Sequence, residues 1–300
     1  MEDIGVEEFL VKMCNINYKI IFSDVDGTLL NSKHEMLPST RAAIESLHQQ
    51  TIPFVIISAR SPSGIYPIQE TYGFKCPIIS YSGALILDEN RKVLLSNGFT
   101  KECAKEVIEF VETNHFDCSW NIYSMDTWIV KDKSDPRIIR EEAIVHAKST
   151  EGTVDTLPKH AEIGKILCMC NPIHILDIEQ KLKEAFPSLS IVKSSDILLE
   201  IMQGGVTKSS AVKSLCSLWN IPLENTVAFG DHYNDVEMLE IVGMPFLMGN
   251  APKELKTKFP NVTESNDEDG IYHGLEQIGL VEPVDKTMRL NLQKQRLIKN

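Results

Sequence analysis

No run of about 18 apolar residues occurs in this 300-residue chain, so no membrane-spanning helix is expected. There is no Cys-x-x-Cys either. The seven cysteines stand at 14, 76, 103, 118, 168, 170 and 216. An odd, scattered set speaks against a disulfide framework and for a reducing, cytoplasmic setting. Cys168 and Cys170 alternate in an apolar run with no second ligand pair at zinc-site spacing, and read as buried packing residues. Positive charge is scarce: 30 Lys and Arg face 42 Asp and Glu, a net charge of -12. No basic patch for nucleic acid or an anionic membrane is therefore expected, and an anionic substrate would need a local cation. The acidic start, Met1 to Glu8, lacks the basic and apolar regions of a signal peptide. Without a secretory signal, Asn261-Val262-Thr263 carries no weight as a glycosylation acceptor. Internal repeats and low-complexity segments are absent.

What is present suits one large domain or two ordinary ones, with a 43% hydrophobic fraction sufficient for a sizeable core. Continuous apolar runs bounded by turn residues predict buried strands at Ile20-Ile21-Phe22, Pro53 to Ile57 and Pro77 to Ser80. Helices are predicted between them, over 41–50 and near 63–71, the first capped by Ser39 or Thr40. This alternation is the pattern of a parallel sheet covered on both faces. A second style follows from about 86 to 193. It comprises a hairpin around Asp88 to Arg91, an amphipathic helix over 101–113, strand-like runs at 119–130, 164–170 and 189–193, and helices at 136–148 and 175–185. The first style then resumes. An apolar run spans 196–202, a helix follows Lys208, and buried strands fall at 226–229 and 244–248. The expected fold is therefore α/β: a Rossmann-like parallel sheet core from residues 1–85 and 194–300, interrupted by an inserted α+β cap domain over 86–193. Residues 6–13 are predicted helical, and the basic, polar tail 284–300 has no functional reading.

The chain is organised around Tyr18 to Asn31. A buried strand stops on Asp24, Val25 intervenes, and Asp26 supplies a second carboxylate before Gly27 and Thr28. Two acids there can merely solvate a strand end, or begin a calcium loop. Thr28, Leu30 and Ser32 do not continue calcium-loop ligation. Other strands of the core end on Ser58 and Asp231, while Lys208 and Asp235 lie at helix starts. In open α/β sheets such residues converge beyond the carboxyl ends of the strands. Asp24, Asp26, Asp231 and Asp235 in one crevice would need a cation, and hard carboxylate oxygens suit Mg²⁺. A magnesium ion with Lys208, a hydroxyl and backbone amides forms a site for phosphate. A carboxylate in it can serve as nucleophile and a neighbouring one as general acid and base.

These segments resemble the motifs of the haloacid dehalogenase superfamily, specifically Cof-type phosphatases with a C2-type (IIB) cap. Asp24-Val25-Asp26-Gly27-Thr28 matches the first motif and Ser58-Ala59-Arg60 the second, where Thr-Gly-Arg is usual. Gly205-Val206-Thr207-Lys208 matches the third. Gly230-Asp231-His232-Tyr233-Asn234-Asp235 matches the fourth, and 248–251 with 268–270 resembles the closing segment. Ser82 and Ser209 depart from the family's usual Asn and Gly. The resemblance, over about residues 18–280, implies a Mg²⁺-dependent phosphatase of small phosphorylated metabolites acting through an aspartyl-phosphate. Asp24 would be nucleophile and Asp26 general acid/base. Mg²⁺ would be held by Asp24, Asp26 through its carbonyl, Asp231 and Asp235. Thr28, Ser58, Ala59, Lys208 and Asn234 would bind the phosphoryl group, with Lys208 counted among the catalytic set. A monomer or weak homo-oligomer is expected. Tyr123, Trp128, His160 and Lys165 are the cap residues considered for substrate contact, with a packing or surface role the favoured reading of each. Two alternatives share these features: a phosphomutase on the same core, and a non-catalytic phosphoryl-ligand binding protein.

Overall fold

A computed structural model describes residues 17–145 and 147–283. The helix expected at 6–13 and the tail 284–300 lie outside the described residues. In chain order the main elements begin with β1 (Ile20–Ser23), α1 (Pro38–Gln49), β2 (Phe54–Ile57), α2 (Pro62–Tyr72), β3 (Ile78–Ser80), β4 (Leu85–Leu87) and β5 (Val93–Ser96). There follow α3 (Lys101–Thr113), β6 (Cys118–Ser124), β7 (Thr127–Val130), α4 (Pro136–Val145), β8 (Thr150–Glu151), β9 (Lys165–Cys170), α5 (Ile175–Ala185), β10 (Leu189–Lys193) and β11 (Leu198–Gln203). The last are α6 (Lys208–Leu218), β12 (Thr226–Gly230), α7 (Val236–Ile241), β13 (Met244–Leu247), α8 (Lys253–Lys256) and α9 (Gly270–Gln277). No described helix is long and apolar enough to cross a membrane.

The contacts divide the chain into two compact units. One takes the described residues up to Ile57, Tyr72–Pro77 and those from Val212 onward; the other takes Ser58–Thr71 and Ile78–Ala211. In the first unit, β13, β12, β1 and β2 lie side by side and parallel. β1, β2 and β12 are wholly buried, as their uninterrupted apolar sequences require. α1 rests on β2, α7 on β12 and β13, and α9 against α1. From β1 the chain leaves toward β2 on one side and returns as β12 on the other. That reversal opens a crevice beyond the carboxyl ends of β1 and β12. The cap of α1 differs from expectation. Pro38, with its φ pre-set for a first helical turn, takes the leading position and Leu37 becomes the N-cap. The Ser39 hydroxyl donates instead to Asp269 Oδ1.

The second unit holds a meander, β3–β4–β5, and a six-stranded sheet in the order β10-β11-β9-β6-β7-β8. Two sequence expectations are corrected here. The hairpin at 85–96 extends β3 rather than opening the inserted sheet, since β4 pairs antiparallel with β3. The run at 196–202 belongs to the inserted sheet rather than to the resumed core, because β11 sits between β10 and β9. The strand-like stretch 119–130 is two strands, turned at Met125 with φ 51°. β9 is buried along its whole length, with alternate residues serving opposite faces. Ile166, Cys168 and Cys170 join a core with Val107 of α3 and Ile178 of α5. Leu167 and Met169 pack with Trp128, Val130 and Ile138 of α4. α3 starts cleanly because Thr100 Oγ1 accepts from Cys103 N at 3.2 Å.

Candidate active site

β1 ends at Ser23, and the Asp24 amide still donates across to Phe229 O of β12 at 3.1 Å. The chain then folds tightly: Leu29 N returns to Asp24 O, and both Thr28 N and Leu30 N to Val25 O. Gly27 makes that turn possible. Its φ is +82°, and a Cβ there would stand 2.3 Å from Asp231 Oδ2. Only a residue without a side chain lets the turn approach β12's terminal acid so closely. The turn separates its two carboxylates. Asp24 is 6% exposed, while Asp26 is exposed to solvent.

Beyond β12, the amides of Asp231 and His232 both donate to Asp235 Oδ2, at 3.0 and 3.1 Å. Asp235 is fully buried, and this pair of bonds fixes the loop that carries Asp231. Thr28 Oγ1 donates to Asp231 Oδ1 at 3.0 Å and so orients that acid. Asn250 completes the support: its Nδ2 reaches Gly27 O at 2.9 Å and Asp231 Oδ2 at 3.3 Å. Asn250 was not singled out from the sequence as a site residue. Its signal was present in the Met-Gly-Asn stop immediately after β13.

Asp24, Asp231 and Asp235 each offer a carboxylate oxygen, all within 4.8 Å of one another. At that separation two unit charges repel by roughly 3–4 kcal/mol at an effective dielectric of about 20. Three such oxygens, supplied by rigid backbone ends, fit a hard divalent cation with ligands at about 2–2.6 Å. The Asp26 side chain is not in this group; Asp26 was expected as a ligand through its carbonyl. Asn234 is exposed in the turn before Asp235.

In the second unit, Ser58 follows β2 and is buried. Its amide donates to Ile79 O at 2.9 Å, and its hydroxyl accepts from Arg60 N at 3.2 Å. The loop after β3 closes on it: Ser82 N donates to Ser58 O and Tyr81 N to Arg60 O. Tyr81 and Ser82 hold φ of 52° and 53°, a conformation costing non-glycine residues about 1–2 kcal/mol each. Gly83 then passes the start of α6 so closely that a Cβ would lie 2.6 Å from Thr207 O. Lys208, 2% exposed, opens α6, and Thr207 and Ser210 cap that turn reciprocally. The segments bearing Ser58 and Lys208 are thus brought together through the 81–83 loop. Ala59 contributes a carbonyl that accepts from Lys165 Nζ at 3.4 Å.

Lys165 also lies 3.5 Å from Glu200 and 5.5 Å from the centre of the Tyr123 ring. Burial pushes the Tyr123 phenol up, and Glu141 and Glu200 add to that. Trp128 stacks on Tyr123 and donates to Asn121 Oδ1 at 2.9 Å, which makes it a packing residue of the sheet. His160 is exposed in a turn.

The chain is similar to known proteins along most of its length. A family model described as haloacid dehalogenase-like hydrolase matches residues 21–275. A candidate phosphatase of Haemophilus influenzae is 37% identical over 263 residues, covering 87% of this chain and 98% of its own. The phosphatase YwpJ of Bacillus subtilis is 27% identical, covering 87% and 99%. Among solved structures, TM0651 from Thermotoga maritima superposes with a TM-score of 0.79 at 26% identity, over 89% of this chain and 98% of its own. A sugar phosphatase of HAD subclass IIB shares the fold, with a TM-score of 0.71 at 21% identity over 88% and 100%.

Proposed function

The chain belongs to the haloacid dehalogenase-like hydrolases of Cof type and is a phosphatase; from that premise we propose that it hydrolyses small phosphorylated metabolites through an aspartyl-phosphate, with Mg²⁺ as its cation. The observation that carries this reading is the convergence of Asp24, Asp231 and Asp235 within 4.8 Å, with Asp24 buried at the end of β1. When bound, Mg²⁺ would offset the charge of these three acids, with the Asp26 carbonyl as a further ligand, and polarise a phosphoryl oxygen.

An Asp24 carboxylate oxygen attacks phosphorus, and the bond from phosphorus to the leaving oxygen breaks. Asp26, exposed and so able to exchange protons with solvent, protonates that oxygen as it departs. In the second half, Asp26 takes a proton from the attacking water, and the phosphorus–Asp24 bond breaks to release inorganic phosphate. Lys208 and the Ser58 hydroxyl hold the phosphoryl oxygens, joined by the Ala59 amide and Asn234. Thr28 acts one step back, through Asp231.

The proposed domain division keeps a discontinuous catalytic core and an inserted cap. The cap then starts after β5 and extends past residue 193 to the end of β11, the last strand of its sheet. Phosphate release from an aryl phosphate, without any bisphosphate activator, tests the function. Activity should vanish with a chelator, return with Mg²⁺, and fall to background in Asp24→Asn with the fold intact. A chelator-insensitive rate, or a substantial rate in Asp24→Asn, would overturn it.

A further inference from the structure

Three thiols of the six-stranded sheet face one side, and none has a part in phosphoryl transfer. Cys118 opens β6 and Cys170 closes β9, directly opposite one another in the antiparallel register. The pair exchanges no backbone hydrogen bonds. Cys118 N donates to Phe116 O, Cys170 N turns away to Ile197 O, and the neighbouring bond runs from Asn171 N to Asp117 O. Opposed residues of this kind hold their Cα atoms about 4.5 Å apart. A disulfide spans roughly 4.4–6.8 Å between Cα atoms, so the backbone need not move to form one. Cys168 lies one step further along β9, opposite Trp120.

The three sulfurs do not make a metal cage. Among the described residues, the one group of three metal-capable side chains within mutual reach is the aspartate cluster. Cys118 instead neighbours Cys168 and Cys170 on this face of the sheet, where the Cys170 thiol donates to Cys168 O at 3.6 Å. Those neighbouring thiols hold the Cys118 thiol well below the ordinary thiol range. Arg137 adds to that effect, while burial and Asp117 oppose it. The Cys118 neighbour and burial push the Cys170 thiol up. Access is one-sided. Cys168 and Cys170 are buried, whereas Cys118 is partly exposed and lines a cleft of about 360 Å³ with His115, Lys131 and Arg137.

We propose that Cys118 and Cys170 form an oxidative modification site for hydroperoxides, closing to a cross-strand disulfide between β6 and β9. The Cys118 sulfur attacks the near oxygen of hydrogen peroxide and the O–O bond breaks, leaving a sulfenic acid on Cys118 and one water. The Cys170 sulfur then attacks the Cys118 sulfur, the S–O bond breaks, and the Cys170 proton leaves with the hydroxyl as a second water. Two thiols lose two electrons in all, and one peroxide is reduced to two waters. The site is independent of the phosphatase reading.

The full chain, treated with a modest excess of hydrogen peroxide, alkylated and digested without reductant, gives the test. A peptide pair joined through Cys118 and Cys170 is expected, 2 Da lighter than the two reduced peptides together and lost on addition of dithiothreitol. In Cys170→Ser, dimedone should label Cys118 and no cross-link should form; Cys168→Ala should retain the cross-link. The proposal is overturned if wild-type Cys118 stays reduced at peroxide levels that oxidise the partly exposed Cys103. It is equally overturned if Cys118 is found joined to Cys168, or accumulates as sulfinic acid with Cys170 reduced. All three overturning results are read on the wild-type chain, so a variant that misfolds cannot rescue the idea.

Discussion

Asp24 and Asp26 occupy the same tight turn, yet one is buried among carboxylates and the other faces water. The difference follows from Gly27, whose positive φ swings the chain past Asp231 and leaves Asp26 on the outside. A proton carrier matters most when the leaving group is a poor one. Asp26→Asn should therefore cost on the order of 10²–10⁴-fold on an alkyl phosphate, and far less on p-nitrophenyl phosphate, whose leaving oxygen needs no proton. Because the base role of Asp26 in the second half is common to both substrates, single-turnover rates of leaving-group release decide this, and equal losses there would remove Asp26 from the acid role. Gly27→Ala has a different signature. A methyl group 2.3 Å from Asp231 Oδ2 must displace the acid, and the backbone strain adds about 1–2 kcal/mol. The expected result is a loss of activity on both substrates together with a raised Mg²⁺ concentration for half-activity, measured by titrating the ion. An unchanged Mg²⁺ requirement would mean that the turn can relax without moving Asp231.

Whole elements show where sequence reading works and where it stops. β1, β2 and β12 were legible because a strand covered on both faces reads as an unbroken apolar run, and its end is marked by the first polar residue. Asp24, Ser58 and Asp231 could be found that way. β11 was misplaced because Leu198–Gln203 reads equally well as the edge of either sheet; its membership depends on pairing with β9 and β10, which is long-range information. Trp128 illustrates the same limit within a hairpin. The sequence favoured packing for this aromatic residue without naming its partner; the register of β6 with β7 sets its indole against Asn121, which is fully buried. Asn121 Nδ2 is satisfied by Leu167 O at 2.9 Å, leaving Trp128 Nε1 as the donor to its Oδ1. Trp128→Phe should then destabilise by roughly 2–4 kcal/mol, from one unpaired buried acceptor plus a small cavity, with the KM for substrate unchanged. Urea denaturation and steady-state kinetics together check this. A stable variant with a raised KM would return Trp128 to the substrate site.

At the scale of the whole molecule, a net charge of -12 is joined, among the described residues, by a local convergence of three carboxylates in one unit. The sequence showed that a cation would be needed. It could not show which acids share it, since Asp26 and Asp235 are equally acidic in the text and differ only in where their turns point. The consequence is thermodynamic as well as catalytic. Without a cation the three acids strain the folded state, so an ion that binds only when they are assembled must raise thermal stability by mass action. At a free Mg²⁺ concentration about 100 times its Kd, the gain is about 2.7 kcal/mol, or a rise of roughly 5–10 °C for a unit of this size. Asp24→Asn should do two opposite things: raise Tm in the absence of metal, by removing one charge from the cluster, and abolish the Mg²⁺-dependent rise. If the two units unfold in separate steps, only the transition of the unit holding β1 and β12 should respond. A scanning calorimetry series with and without Mg²⁺ reads all of this. A Mg²⁺ shift of the same size in Asp24→Asn as in the wild-type chain would show that the ion binds elsewhere, and the three-carboxylate site would be lost with it.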